Sequence, residues 1–468
     1  MAEVARHLAV PILDALITAY GIALALIFIT GGVNLGILSV HEAAKPLLVL
    51  LAVVPLRVVL GGRSWLTGLT ETAIARARLA WVESRPRLPP SATDALFAFS
   101  ITTLVSLPAG FLAHLILEPA GTRGFSLPVQ YGRFVEIFAA WDSGWYWDIA
   151  RRGYYYAADG QSSIAFFPLY PLLIRWCAAP FGGGDGATWI TGILVSATAF
   201  LLALVALHRL TEKVCGNRET ARRTVLYVAV FPWSLFFTRV YAESVFLLVS
   251  VLAVSRAHDG RWWQAGWWGA LATLARPNGI LIGLPLALLA LRDRPEPREA
   301  IGRWARLAPI PAALAGFCGY AYTLSGNPFG WMAAQAHWGY SLGHPPWQQL
   351  QRLLDDVLQL GVYDYLLASK TAPFELLHGA AALIFLALVP LIFRRLGAAF
   401  GMYVLVSLLV PLSSNTLEGL GRYASVLFPA FMAVATLASP RAHEAILVAS
   451  LVFGGVVAAL FVTLQPIY

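Results

Sequence analysis

The sequence predicts an all-helical protein that crosses a membrane many times. Three observations carry this. Of the 468 residues 58% are hydrophobic and only 12% are charged, about half the charged share of an ordinary soluble domain. The mean hydropathy is strongly positive. Apolar runs long enough to cross a hydrocarbon core of about 30 Å recur along the chain. This composition argues against a soluble enzyme, a nucleic-acid binder, a disordered scaffold or a disulfide-knit secreted domain. The formal charge of +8 reads as arginine excess in cytoplasmic loops rather than as a polyanion site. Cys177, Cys215 and Cys318 are scattered, with no CxxC spacing, and point to neither a disulfide framework nor a zinc site.

Leu8 to Thr30 continues past any plausible cleavage point and reads as a retained anchor rather than a signal peptide. Lys45 to Val59 is a second span. Arg57 to Asp94 is rich in arginine and reads as cytoplasmic, and Ala95 to Leu117 crosses outward. Residues 1–92 thus form a two-span extension with its loop, and 93–468 the main transmembrane domain. Residues 118–163 are a long external loop and 326–376 a second one. Arg209 to Arg223, Arg256 to Arg261, Arg292 to Arg306, Arg394-Arg395 and Arg441 fall inside, and Asn415 to Arg422 outside. The count comes to about 11–13 membrane helices, with the N-terminus cytoplasmic and the C-terminus outside.

Two apolar stretches are broken at their middles. Thr224 to Val254 carries Arg239, Tyr241 and Glu243; Trp262 to Leu291 carries Arg276-Pro277-Asn278-Gly279. Each lies between two cytoplasmic loops and is therefore a hairpin. Its arms of about 15 residues reach roughly 22 Å at 1.5 Å per residue, short of the far surface. Charge and irregular backbone at that depth belong where they are buried in protein or line a wet cavity. The pattern implies a recess studded with Arg239, Glu243, Arg276 and Asn278. The plainer alternative is an Arg239–Glu243 ion pair stapling one hairpin, with Arg276 snorkelling outward.

Within the first external loop, Arg133 to Arg152 places Phe134, Ile137, Phe138, Trp141, Trp145 and Ile149 on one face at helical spacing. A face this rich in tryptophan suits a helix in the membrane interface. Asp142 falls at the margin of that stripe, where a carboxylate is placed to act as a base on an acceptor hydroxyl. The alternative makes Asp142 or Asp148 a helix cap, or a partner of Arg151 or Arg152. The next apolar run, Ala165 to Phe181, has no place as a full crossing and lies along or re-enters the outer interface. Tyr154, Tyr155 and Tyr156 either stack on sugar faces or belong to an aromatic belt.

The succession Trp141-Asp142, Ile149-Ala150 with Gly153-Tyr154, and Ala165-Phe166-Phe167-Pro168-Leu169-Tyr170-Pro171 resembles the PIG-V (GPI mannosyltransferase II) family and its bacterial relatives. Phe231-Pro232-Trp233-Ser234, Tyr241-Ala242-Glu243-Ser244, Arg276-Pro277-Asn278-Gly279, Gln335-Ala336-His337-Trp338-Gly339 and Gly421-Arg422-Tyr423 follow in the family's order. The resemblance covers about Ala95 to Pro429. Two positions depart from the family pattern. Ala140 stands where a His often precedes the Trp-Asp pair. Gln161-Ser162-Ser163-Ile164 stands where a Glu and a His or Gln often precede the Ala-Phe-Phe-Pro motif.

The resemblance implies a C-type glycosyltransferase (GT-C) fold and an inverting transfer of a sugar, by analogy mannose. The donor would be polyprenyl- or dolichyl-phosphate-linked, the acceptor lipid-linked or a glycolipid, and the active site periplasmic or lumenal. Asp142 would be the general base. Arg276 would meet the donor phosphate, with Arg239 and Arg422 as alternates. Trp141, Tyr146, Tyr241, Glu243, Asn278, Gln335, His337 and Trp338 would bind substrate. His337 is equally read as a phosphate ligand or as a plain hydrogen-bonding member of the external layer. No cofactor is implied, and no ligand cluster for a metal is apparent, although a divalent ion stays open. The partners are the donor, the acceptor and membrane lipids, with no nucleic acid. The Arg- and Ala-rich usage points to a bacterial inner membrane rather than an ER membrane. Two rival readings stand beside this one. One is a transporter or flippase for a lipid or polyprenyl-sugar, which also has broken helices and buried charges. The other is a protein O-glycosyltransferase of the same fold.

Overall fold

Long apolar helices dominate the computed structural model, which describes residues 88–121, 135–369, 371–465 and 467, with a short ladder at 33–34 and 39–40. The chain divides into two compact units, Met1–Pro89 and Pro90–Tyr468. In the first, strands β1 (Val33–Asn34) and β2 (Ser39–Val40) pair antiparallel. The expected spans Leu8 to Thr30 and Lys45 to Val59, most of the loop from Arg57 to Asp94, and residues 122–134 of the external loop with Arg133 and Phe134 lie outside the described residues.

The second unit is helical, in keeping with the predicted class. Among the described residues five helices are long and apolar enough to cross a membrane. They are α1 (Pro90–Ile116), α4 (Asp185–Cys215), the pair α9 (Pro297–Ala305) and α10 (Pro309–Ser325) taken together, α14 (Ala372–Leu396) and α18 (Pro440–Val462). Shorter helices pack between them. They are α5 (Arg218–Val230), α6 (Glu243–His258), α7 (Trp262–Ala275), α8 (Gly283–Leu289), α15 (Ala398–Leu412) and α17 (Phe428–Leu437).

Both interrupted stretches break at their middles. The first runs through α5, a 3₁₀ segment at Pro232–Thr238 and α6; the 3₁₀ axis meets α6 at 94°. The second runs through α7, a 3₁₀ segment at Pro277–Ile282 and α8. Proline causes the breaks, because Pro232 and Pro277 lack the N–H that a continuing helix would need. Gly279 lets the second turn fold back on itself: a Cβ there would come within 1.9 Å of the Ala272 carbonyl oxygen. The run from Ala165 to Phe181 contains one α-helix, α3 (Leu169–Ala178), followed by a 3₁₀ turn at Ala179–Phe181, and α3 is too short to cross.

The expected interfacial helix over Arg133 to Arg152 is shorter than its periodicity implies. Helix α2 occupies only Ser143–Arg152. Gly144 lies inside it, and the break falls earlier, at Trp141, whose φ is +56°. A left-handed residue ends helical continuity, so residues 135–141 do not share the face of α2. The remaining short helices are α11 (Gly330–Gln335), α12 (Gln348–Leu360), α13 (Val362–Ala368) and α16 (Leu420–Ser425).

Candidate active site

The turn at Arg276 and Pro277, the start of α2 and the start of α16 meet around one open cleft of about 650 Å³, with Glu243 packed behind it against Arg276 and Arg422. Asp142, Tyr146, Arg276, Gln335, Trp338, Tyr340, Arg422 and Tyr423 line it, together with Phe166 and Phe167 of the Ala-Phe-Phe-Pro turn.

Four charged side chains form a chain of alternating sign. Arg422 Nη1 donates to Asp142 Oδ2 at 2.6 Å, and its Nε lies 3.2 Å from Glu243 Oε1. The same Glu243 oxygen accepts from Arg276 Nη1 at 2.6 Å. Glu243 is only 2% exposed and Arg276 5%. At this burial an unpaired charge would cost several kcal/mol. Two carboxylates against two guanidinium groups leave none of the four unpaired. Aromatic rings complete the packing. The Arg276 guanidinium lies 4.9 Å from the Tyr423 ring centre, and that of Arg422 lies 5.4 Å from Tyr241 and 5.7 Å from Phe236, distances at which a cation is attracted to the ring face.

Tyr241 fixes the turn that presents Asp142. Its hydroxyl donates to the Ala140 carbonyl at 3.0 Å and accepts from the Asp142 N–H at 3.2 Å. One side chain thus closes the backbone on both sides of Trp141 and holds it in the left-handed region, which costs a non-glycine residue about 1–3 kcal/mol. Asp142 sits at the N-cap position of α2 but makes no side-chain capping bond; its carboxylate is committed to Arg422 instead. Asp148 pairs with Arg152 at 3.1 Å, one of the two places the sequence left open for it.

The aromatic wall is built from Trp145, Phe166 and Trp338. Trp145 stacks on Phe166 at 5.7 Å and meets Trp338 edge-on at 5.3 Å. Tyr154 holds this wall from behind by donating to the Phe166 carbonyl at 2.9 Å. Ser163, in the segment that departs from the family pattern, accepts from the Tyr155 N–H at 2.8 Å. Burial pushes the phenols of Tyr146 and Tyr340 well above their ordinary range. Both keep their protons at physiological pH and face the cleft as neutral groups.

Not every expected residue reaches the cleft. Arg239 does not pair with Glu243. It is fully buried away from the cleft, its Nη1 donating to Thr238 Oγ1 at 3.2 Å and its Nη2 to the Ser106 carbonyl at 3.4 Å. Its guanidinium lies 5.0 Å from the Phe138 ring centre. The expected pairing presupposed helical i,i+4 spacing, but α6 begins only at Glu243. Arg276 does not snorkel; it turns inward to Glu243. Asn278 lies in the 3₁₀ turn behind Arg276 with its Oδ1 buried and unpartnered, and His337 is exposed; neither lines the cleft.

Several residues at the site carried little sequence signal. Tyr340 was legible only as the neighbour of a quoted motif, and Tyr423 only as the last residue of one. His378, 1% exposed on α14, accepts from the Gly421 N–H at 3.3 Å, next to Arg422. The Trp233 ring packs on the other side of Gly421. A lone polar residue inside an apolar helix was the only hint of His378. Among the described residues no group of three or more His, Cys, Asp or Glu side chains comes together to hold a metal.

Comparison with known proteins matches residues 113–286 to the mannosyltransferase (PIG-V) family model. Over these residues the chain is similar to the PIG-V family. The matched segment contains Asp142, Glu243 and Arg276 but ends before Tyr340 and Arg422. GPI mannosyltransferase 2 of Yarrowia lipolytica is 28% identical over 191 residues, 40% of this chain and 51% of that protein. GPI mannosyltransferase 2 of Chaetomium globosum is 28% identical over 264 residues, 47% of this chain and 55% of that protein. Human GPI alpha-1,6-mannosyltransferase 2 is 29% identical over 147 residues, 30% of this chain and 29% of that protein. The chain therefore spans about half the length, or less, of these PIG-V relatives. Among solved structures, ArnT of Cupriavidus metallidurans, bound to undecaprenyl phosphate, aligns with a TM-score of 0.43 at 16% identity, over 75% of this chain and 62% of that one. The oligosaccharyltransferase of Archaeoglobus fulgidus aligns with a TM-score of 0.39 at 13% identity, over 80% and 53%.

Proposed function

We propose that the protein is an inverting membrane glycosyltransferase of the C type. It moves a mannosyl group from a polyprenyl- or dolichyl-phosphate donor to a lipid or glycolipid acceptor on the extracytoplasmic side. The family match supports the sugar and the transfer. The observation that carries the mechanism is the joining of Asp142 to Arg422, and of Arg422 through Glu243 to Arg276, on the wall of one cleft.

Asp142 takes the proton from the acceptor hydroxyl as its oxygen attacks the anomeric carbon. The bond from that carbon to the donor phosphate oxygen breaks on the opposite face, and its electron pair leaves with the lipid phosphate. Arg276 and Arg422 neutralise the charge that grows there, in a site already organised to receive it. A single displacement inverts the anomeric centre and yields the glycoside, the polyprenyl phosphate and a protonated Asp142, which returns its proton to water. Trp338, Phe166 and Trp145 give the sugar an apolar wall, and Gln335, Tyr146 and Tyr340 offer it hydrogen bonds.

Turnover of polyprenyl-phosphate-mannose by the full chain and by Asp142→Asn tests this reading. Loss of a general base costs typically about 10²–10⁴ in rate, and a fall of at least several hundred-fold is expected. Normal turnover by a folded Asp142→Asn protein overturns it. Labelling of cysteines placed in the cleft separates the transferase from a transporter: a transferase exposes them to one side of the membrane only.

A further inference from the structure

A second polar cavity lies at the opposite ends of the two helices that build the cleft. Helix α6 begins at Glu243 and runs 16 residues to His258, about 24 Å at 1.5 Å per residue. Helix α7 starts beyond the turn at Trp262 and leads back to Arg276. The cavity occupies about 340 Å³ between His258, Trp262, Arg292, Asp293 and Arg303. Its surroundings coincide with the basic stretches Arg256 to Arg261 and Arg292 to Arg306, which read as cytoplasmic loops.

Among the described residues the cavity presents a guanidinium without a carboxylate and a buried ring nitrogen without a partner. Arg292 Nη1 donates to His258 Nδ1 at 3.0 Å. Among the described residues no carboxylate lies within ion-pair distance of Arg292. Because His258 Nδ1 accepts, the ring proton resides on Nε2, and that atom is buried with no partner. Arg303 is already held, with its Nη1 donating to the Ala290 carbonyl at 3.0 Å, its Nη2 to Glu299 at 2.7 Å, and its guanidinium over the Trp262 ring. The one carboxylate on the cavity wall, Asp293, is 3.9 Å from Arg303 and its side chain is 75% exposed. A guanidinium without a counter-ion beside a buried N–H without an acceptor calls for an anionic oxygen.

Trp263 and Trp267 on α7 and Trp304 on α9 are exposed near the cavity-lining residues Trp262 and Arg303, the pattern by which tryptophan marks a membrane interface. Basic pockets between membrane helices at that level take anionic headgroups.

We propose that this cavity holds the phosphate of an anionic phospholipid on the membrane face opposite the reaction centre. Arg292 pairs with the phosphate charge, His258 Nε2 donates to one of its oxygens, and the acyl chains lie against the exposed tryptophans. The proposal stands apart from the transferase reading and does not depend on it.

The test follows thermal unfolding of the full chain in a neutral detergent while short-chain phosphatidylglycerol is titrated in. Phosphatidylcholine of the same chain length and inorganic phosphate serve as separate arms. A ligand of the folded state raises the unfolding midpoint in a saturable way. The wild type is expected to saturate with phosphatidylglycerol alone. Arg292→Gln should raise the half-saturating concentration at least tenfold. His258→Phe, which keeps a ring against Phe400, should raise it severalfold. Arg298→Gln, exposed on α9 and outside the cavity, should leave it unchanged. Equal shifts for Arg292→Gln and Arg298→Gln would reduce the effect to diffuse surface charge and overturn the site. Equal potency of phosphatidylcholine, or saturation by inorganic phosphate at the same concentration, would overturn the anionic lipid as its occupant.

Discussion

Arg422 Nη1 lies 2.6 Å from Asp142 Oδ2, a contact between residues 280 positions apart in the chain. It joins the proposed base to the proposed phosphate-binding arginines. On the proposed mechanism Arg422 would act at both ends of the reaction, orienting the carboxylate and countering charge on the leaving phosphate.

Replacing Arg422 by Gln should lower kcat/KM by about 10²–10³, the range for losing one donor that stabilises developing charge. Lysine keeps the charge without the planar fork and should recover only part of the loss. Steady-state kinetics of both variants check this; full activity in Arg422→Gln would remove the residue from the reaction.

Glu243 is the hinge of the charge chain, since one of its oxygens serves both Arg276 and Arg422. Glu243→Gln leaves the buried Arg276 without a carboxylate and Arg422 with Asp142 alone. Removing one partner from a buried ion pair typically costs about 3–5 kcal/mol. Denaturant or thermal unfolding should show a large loss of stability, and donor KM should rise because both arginines lose their anchor. A variant of wild-type stability would show the pairing to be energetically idle.

Much of this centre is legible in the sequence because membrane physics makes polar residues conspicuous. Glu243 and Arg276 interrupt apolar runs where a charge needs a reason to exist, and Pro277 and Gly279 mark the turn between them. What stays hidden is pairing. Glu243 stands four residues from Arg239, and only the late start of α6 at Glu243 removes that partner and leaves Arg276 and Arg422 in its place. The reading of Arg133 to Arg152 as one helix fails for a similar reason. Hydrophobic periodicity does not register a single left-handed residue, and Trp141 is one.

Tyr241→Phe removes the hydroxyl that spans the Trp141 turn while leaving the ring in place. The Ala140 carbonyl and the Asp142 N–H then lose their shared partner, at a cost of about 1–3 kcal/mol for buried groups left unpaired. Asp142 is no longer fixed, so kcat should fall about tenfold or more with little change in donor KM, as expected when positioning rather than binding is lost. A rise in donor KM with kcat unchanged would count against this role.

The exposed His337 and the cleft-lining Trp338 are neighbours in sequence with opposite expectations. Trp338→Ala removes part of the aromatic wall formed with Trp145 and Phe166. It should weaken sugar binding by about tenfold, the scale of one well-placed aromatic contact. His337→Ala should stay within about twofold of wild type, as for an exposed side chain with no buried partner. Kinetics of the pair decide between them, and the reverse order would mean that substrate binds outside the cleft.

Gly421 is where packing reaches the reacting groups. A Cβ at this position would fall 2.1 Å from Trp233 Cε2, and the Gly421 N–H is held by His378 Nδ1. Gly421→Ala must therefore push α16 off the Trp233 ring and carry the adjacent Arg422 with it. Overpacking of this kind costs about 1–3 kcal/mol, and a shift of about 1 Å at Arg422 should cost about a further 10² in rate. Trp233→Leu frees that space, so the double variant should recover activity that Gly421→Ala alone has lost. His378→Asn, whose side-chain oxygen also accepts the Gly421 N–H, should retain activity that His378→Leu loses. Thermal unfolding together with kcat/KM for these four proteins separates the two effects. If the double variant regains stability but not rate, Trp233 supports the fold alone and the guanidinium of Arg422 is positioned by its carboxylate partners.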